Sequence, residues 1–123
     1  MTSSTDVVRR LFAAYLAQDE AAARGLVGDG FRFTSPQDDH IDRAAYFERC
    51  FPTAQRVSRQ DLLQVVEAEP GLVLVRYEYE LRTGGTFRNM EAITVRDGQH
   101  APFVWSFQVQ RGETRFEIEP IRL

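Results

Sequence analysis

The sequence has 123 residues, enough for one domain around one core. Hydrophobic residues make up 43% and aromatics 11%, which excludes a disordered chain, and no apolar run nears the roughly 18 residues of a spanning helix. Net charge is -3, from 18 acidic and 15 basic residues intermixed along the chain, and this argues against nucleic acid or an anionic membrane as the main partner.

The start, Met1 to Thr5, has neither a basic region nor an apolar run, so no secretory signal is expected. Cys50 is the only cysteine, which rules out an intramolecular disulfide or a thiolate metal cluster and fits a reducing, cytoplasmic setting. The first element reads as a helix. Ser3 and Asp6 have capping-box spacing, with Thr5 as an alternative cap. Val8, Leu11, Phe12 and Tyr15 then recur at i, i+3, i+4 and i+7, with Leu16 beside them. Asp19-Glu20 opens a second, short helix over Ala21 to Val27, ended by Gly28-Asp29-Gly30.

Phe31 to Thr34 has the period of a strand, and residues 35–40 read as a loop. Asp42 is the N-cap expected of a third helix, with Ile41 and Tyr46 as a hydrophobic staple. That helix offers Tyr46, Phe47, Cys50 and Phe51 as its apolar side, Pro52 stops it, and residues 53–58 read as a connection. From about Asp61 the pattern is all strand. Leu63 and Val65 alternate before the Pro70-Gly71 turn. Leu72 to Leu81 follows, with Val73, Val75, Tyr77, Tyr79 and Leu81 on one face. Thr83-Gly84-Gly85 leads to a strand from Thr86, where Phe87, Asn89, Glu91, Ile93 and Val95 share a face. Asp97-Gly98 turns the chain into Ala101 to Gln110, with Ala101, Phe103, Trp105, Phe107 and Val109 as its inner candidates. Helices first and long antiparallel strands after give an α+β fold in a single domain, 1–123, with a core over about 5–110 and a last strand or tail over 111–123.

Many aromatics converge on one interior, where large rings around a curved sheet either leave a cavity or pack as a plain core. Phe12, Tyr15, Phe33, Tyr46, Tyr77, Phe103 and Trp105, with the amide of Asn89, are the candidate ligand-binding residues. Glu91 is the candidate catalytic group, because burial in an apolar cavity raises a carboxyl pKa toward neutrality. The alternative is a structural carboxylate paired with Arg76, Arg88 or a tyrosine hydroxyl. Tyr15, Tyr77 or Tyr79 would donate to a developing oxyanion. Asp38, Asp39 and His40 cluster in one loop. His100 has no ligand spacing to them and adjacent loop residues rarely aim at one ion, so no metal site is expected, and His40 or Asp38 instead overhangs a pocket mouth. Cys50 reads as a buried thiol, and Arg9, Arg10 and Arg43 as solvated. No phosphate loop, nucleophile elbow or dinucleotide fingerprint occurs, so no cofactor is expected.

The Val8 to Asp19 helix, Phe31-Arg32-Phe33-Thr34-Ser35-Pro36, the Ile41-Asp42 helix start, Phe87 to Glu91 and the Val95 to Gly98 turn follow one another at a spacing that resembles the SnoaL-like group of the nuclear transport factor 2-like (NTF2-like) superfamily, which includes ketosteroid isomerases and polyketide cyclases. The resemblance implies a cone-shaped fold, with N-terminal helices packed on a strongly curved sheet around a pocket for a small hydrophobic molecule, and a homodimer formed through the sheet. It implies proton-transfer chemistry of isomerase or cyclase type on a carbonyl compound without a cofactor, or a non-catalytic binding or accessory role. The isomerases' catalytic aspartate falls on Ser35 and their oxyanion tyrosine on Leu11, with Tyr15 one turn later. Their second acidic residue falls on Glu91. One of three survives, and Asp38 or His40 is the replacement base that the resemblance leaves available, with Asn89 beside Glu91 as in the cyclases. Epoxide hydrolases of this fold use an arginine between acids; Arg88 lies on the face opposite Glu91.

Overall fold

The computed structural model describes residues 3–28, 30–35, 38–96 and 99–110, with residues 96 and 99–110 described as backbone only. The first helix, α1, spans Ser4–Ala17 and is started by Ser3, whose hydroxyl accepts from the Asp6 amide at 3.2 Å. Its period buries Val7, Val8, Leu11, Phe12 and Ala14, whereas Leu16 is exposed. Gln18 ends it in the left-handed region, φ 57°, and its side-chain amide donates to the carbonyls of Tyr15 and Phe51. The second helix, α2, spans Glu20–Leu26 behind the Asp19 cap. Arg43, expected to be solvated, instead donates to the carbonyls of Val27 and Arg24 at the end of α2, where carbonyls lack helical partners.

The third helical segment departs from the expected single helix. It begins as α3, Arg43–Ala45, capped by Asp42. It widens into a π turn over Tyr46–Cys50 and tightens into a 3-10 turn over Phe51–Arg56. Pro52 does not stop it. Proline is tolerated in the first turn of a helical segment, where its missing N–H has no partner to lose. Residues 53–56 are therefore helical and not a connection.

Among the described residues six strands form one sheet: β1 (Arg32–Thr34), β2 (Ile41–Asp42), β3 (Val57–Glu69), β4 (Leu72–Leu81), β5 (Thr86–Arg96) and β6 (Gln99–Gln110), in the order β2-β1-β6-β5-β4-β3. All neighbours are antiparallel except β1 and β6, which run parallel. β3 carries three register shifts, and such bulges bend a strand and raise its twist. One lies between Leu62 and Gln64. It puts Leu62 and Val65 against the core and leaves Leu63 exposed, contrary to the simple alternation of Leu63 with Val65. The β3–β4 turn needs Gly71, which has φ 80° and where a Cβ would stand 2.9 Å from the Val95 carbonyl oxygen.

The helices cover one face of the sheet. Val7, Val8, Leu11 and Phe12 of α1 meet Val73, Val75 and Tyr77 of β4 and Ile93 and Val95 of β5, with Phe31, Phe47 and Phe51 completing the core. On the other face Glu78 is buried yet charged. It accepts from Arg88 Nε at 2.9 Å and Arg59 Nη2 at 3.1 Å, which compensates the desolvation of its carboxylate.

Candidate functional site

The core is incomplete at one end. Between α1, the third helical segment and the sheet lies a cavity of about 380 Å³. The α1 period brings Leu11, Phe12 and Tyr15 to it. The third segment contributes Tyr46, Arg49, Cys50, Thr53 and Arg56, recurring every three or four residues as one helical face. Phe31, Phe33 and Ser35 come from β1 and its flanks, and Gln60, Tyr77, Tyr79, Asn89 and Glu91 from the sheet. Phe33 and Tyr46 meet edge to face with centroids 5.3 Å apart, and Phe12 and Tyr77 do so at 4.9 Å.

A polar chain crosses this aromatic wall. Asn89 is the register partner of Tyr77 and donates from Nδ2 to the Tyr77 hydroxyl at 3.0 Å. Tyr77 in turn donates to Glu91 Oε1 at 2.9 Å. The two possible arginine partners of Glu91 are engaged elsewhere, Arg76 with Gln64 and Arg88 with Glu78. Burial therefore dominates, and it pushes the Glu91 carboxyl up to about 7, with the Tyr77 hydrogen bond offsetting part of the rise. Glu91 keeps some accessible surface because it lines the cavity, but protein surrounds it closely enough to strip most of its hydration. Asn89 Oδ1 is buried with no hydrogen-bond partner among the described residues.

The three cavity tyrosines nearest this chain differ in what their protons do. Thr53 Oγ1 donates to the Cys50 carbonyl at 2.7 Å, so the 2.6 Å contact between Tyr15 and Thr53 has Tyr15 as donor. The Tyr77 proton is committed to Glu91. The Tyr46 hydroxyl has no hydrogen-bond partner among the described residues, and burial followed by the nearby Glu91 charge raises its pKa. Burial likewise raises Tyr15 and Tyr77, with Glu91 adding to both.

Asp38 lines the cavity, but its carboxylate is occupied: Arg49 Nη1 lies 3.2 Å from Oδ1, and the Cys50 thiol points to Oδ2 at 3.7 Å. Burial and the Asp38 charge push the Cys50 thiol up to about 12, which makes it a poor nucleophile. His40 is not among the described residues that line the cavity. Its backbone is left-handed, φ 51°, and its ring nitrogen Nδ1 meets Asp39 Oδ1 at 2.5 Å in the loop. Of the two groups that the sequence offered opposite Glu91, His40 or Asp38, Asp38 is the one that lines the same cavity. No group of three or more histidine, cysteine, aspartate or glutamate side chains among the described residues could hold a metal ion.

The side chains of Phe103 and Trp105 lie outside the described residues. Their backbone register is described. Arg96 pairs with Gln99, so odd residues of β5 face even residues of β6. Ser106 is the partner of Glu91, whereas Trp105 pairs with Ala92, and Phe103 falls at the shift between the Ile93 and Thr94 pairs. Thr53 and Arg56, which also line the cavity, were missed because a helix ended at Pro52 leaves no face on which to place them.

No protein-family model matches the sequence, and no curated protein matches it. Solved structures do. A protein from Kribbella flavida superposes with a TM-score of 0.77 at 20% identity, covering 89% of this chain and 88% of its own. An NTF2-like protein of unknown function from Cytophaga hutchinsonii gives 0.70 at 16% identity, covering 89% and 92%. AclR, a candidate hydroxylase from Streptomyces galilaeus, gives 0.70 at 11% identity, covering 88% and 79%. At these identities the likeness concerns architecture, and it agrees with the helix-covered sheet and its cavity: the chain has the NTF2-like fold.

Proposed function

We propose that this chain is a SnoaL-like protein that binds a small hydrophobic carbonyl compound in the aromatic cavity. The observation that carries the reading is the chain Asn89–Tyr77–Glu91 buried in an otherwise aromatic wall. Below neutral pH Glu91 is largely protonated, and a neutral carboxylic acid in an apolar site donates a hydrogen bond to a carbonyl oxygen. Tyr46 supplies a second donor whose proton is not committed among the described residues. Two donors on one oxygen stabilise an enol or enolate more than the parent ketone, which is the basis for proton-transfer activity next to the carbonyl.

Asp38 is the only other carboxylate at the cavity among the described residues, and its bonds to Arg49 and Cys50 weaken it as a base. That observation, with Ser35 at the isomerases' catalytic position, supports a second reading in which the same pocket binds without turnover. The test is hydrogen–deuterium exchange at the carbon next to the carbonyl of 2-tetralone, followed by NMR with and without protein. Exchange accelerated by the protein and abolished in Glu91→Gln supports catalysis. Saturable binding without acceleration supports the binding protein. No binding of 2-tetralone or larger bicyclic ketones overturns both.

The outer face of the sheet supports a homodimer. Val66 and Met90 are large, apolar and exposed there, in the rows of Leu74 and Arg76. No helix among the described residues is long and apolar enough to cross a membrane.

A further inference from the structure

We infer that the ligand carries a carboxylate or similar anion at the end opposite its carbonyl, and that Arg56, supported by Arg82, selects it at the cavity rim. This rests on the proposed carbonyl site and adds the charge of the substrate class to it. Two guanidiniums line the cavity, and they differ. Arg49 is neutralised by Asp38 at 3.2 Å. Arg56 is exposed and makes no ion pair among the described residues, yet it lies close enough to Tyr15 for its charge to favour the ionised hydroxyl. Arg82 joins it from the β4–β5 turn: its amide donates to the Arg56 carbonyl at 2.7 Å and its Nε to the Gln55 carbonyl at 3.0 Å. Arg82 is also exposed and without an ion pair among the described residues.

Charges of one sign brought side by side repel, and a chain of net charge -3 has acids to spare. Here residues 26 apart in sequence are joined through the Arg82 amide and the Arg56 carbonyl, and neither guanidinium makes an ion pair among the described residues. With Glu91 protonated, the cavity and its rim have net positive charge, so an apolar anion gains where a neutral ketone does not. Charge-assisted guanidinium–carboxylate bonds are stronger than neutral hydrogen bonds, and arginine forms them with two parallel donors.

The experiment compares 2-acetylnaphthalene with 6-acetyl-2-naphthoic acid, which adds a carboxylate at the far end of the same ketone. Both are titrated into the intact protein by their own fluorescence at low salt. The acid should bind about tenfold tighter, and the preference should shrink in ~0.5 M salt. In Arg56→Gln the ratio of the two Kd values should fall below about twofold, with Arg82→Gln giving an intermediate ratio. Arg56 is exposed, so an unchanged thermal unfolding curve separates lost selectivity from lost folding. Equal affinity of the intact protein for both compounds, or a preference that survives Arg56→Gln, overturns the inference while leaving the carbonyl site standing. Failure of both compounds to bind overturns the carbonyl site and the inference with it.

Discussion

Glu91 is decided by the competition between desolvation and one hydrogen bond. Burial raises its carboxyl pKa, Tyr77 lowers it, and burial wins, leaving it at about 7 against an ordinary 4.5. The folded protein therefore binds more protons than the unfolded chain between these values. Stability falls as pH rises through that window, and the loss is complete above about pH 7. The amount is about 3 kcal/mol. Denaturant unfolding of the protein and of Glu91→Gln at pH 4 and pH 8 should show the variant gaining about that much relative to the parent across the interval. Parallel pH curves for the two would contradict the buried carboxyl. Tyr77→Phe should move the Glu91 titration upward, read from its side-chain carboxyl carbon by NMR. It should also cost about 1–3 kcal/mol, because the Asn89 amide and the Glu91 oxygen both lose a partner. The identity of Glu91 as the polar spot on an apolar strand face was legible in sequence, since alternation alone sets the face. The partners that hold Arg76 and Arg88 on the opposite side, Gln64 and Glu78, were not, because they come from neighbouring strands.

At the scale of elements, the third helical segment and the turns do most to place the site. The π turn over Tyr46–Cys50 and the 3-10 turn after it put Tyr46, Arg49, Cys50, Thr53 and Arg56 along the cavity. Neither widening nor tightening has a residue-type signature as clear as a cap, so the sequence supports only the start at Asp42. Glycines give a two-sided check on the turns. Gly71→Ala puts a Cβ against the Val95 carbonyl in a left-handed backbone and should cost about 1–3 kcal/mol by thermal unfolding. Gly25→Ala, in α2 with nothing within 4 Å of the new Cβ, should add about 0.5–1 kcal/mol through lost unfolded-state entropy. The same sign for both would contradict the backbone described for these positions.

The whole molecule is a sheet with two unlike faces. The inner face carries the core and cavity; the outer carries the Arg59–Glu78–Arg88 cluster beside exposed Val66 and Met90. If the outer face forms the proposed homodimer, sedimentation should show a dimer, and Met90→Glu should shift it toward monomer by bringing two carboxylates into the interface. A monomer at all concentrations for the parent would remove the dimer.

Local pattern was enough for the order of elements, the α1 face, the caps at Ser3 and Asp42, and the inner faces of β4 and β5, because period and capping depend on residues a few positions apart. The tertiary structure decided what depends on distant partners. The parallel pairing of β1 with β6 joins residues about 70 apart and leaves no local trace. His40 turned to Asp39, Asp38 was taken by Arg49, and Arg56 was brought to the rim beside Arg82, since a long side chain takes the partner that folding puts within reach.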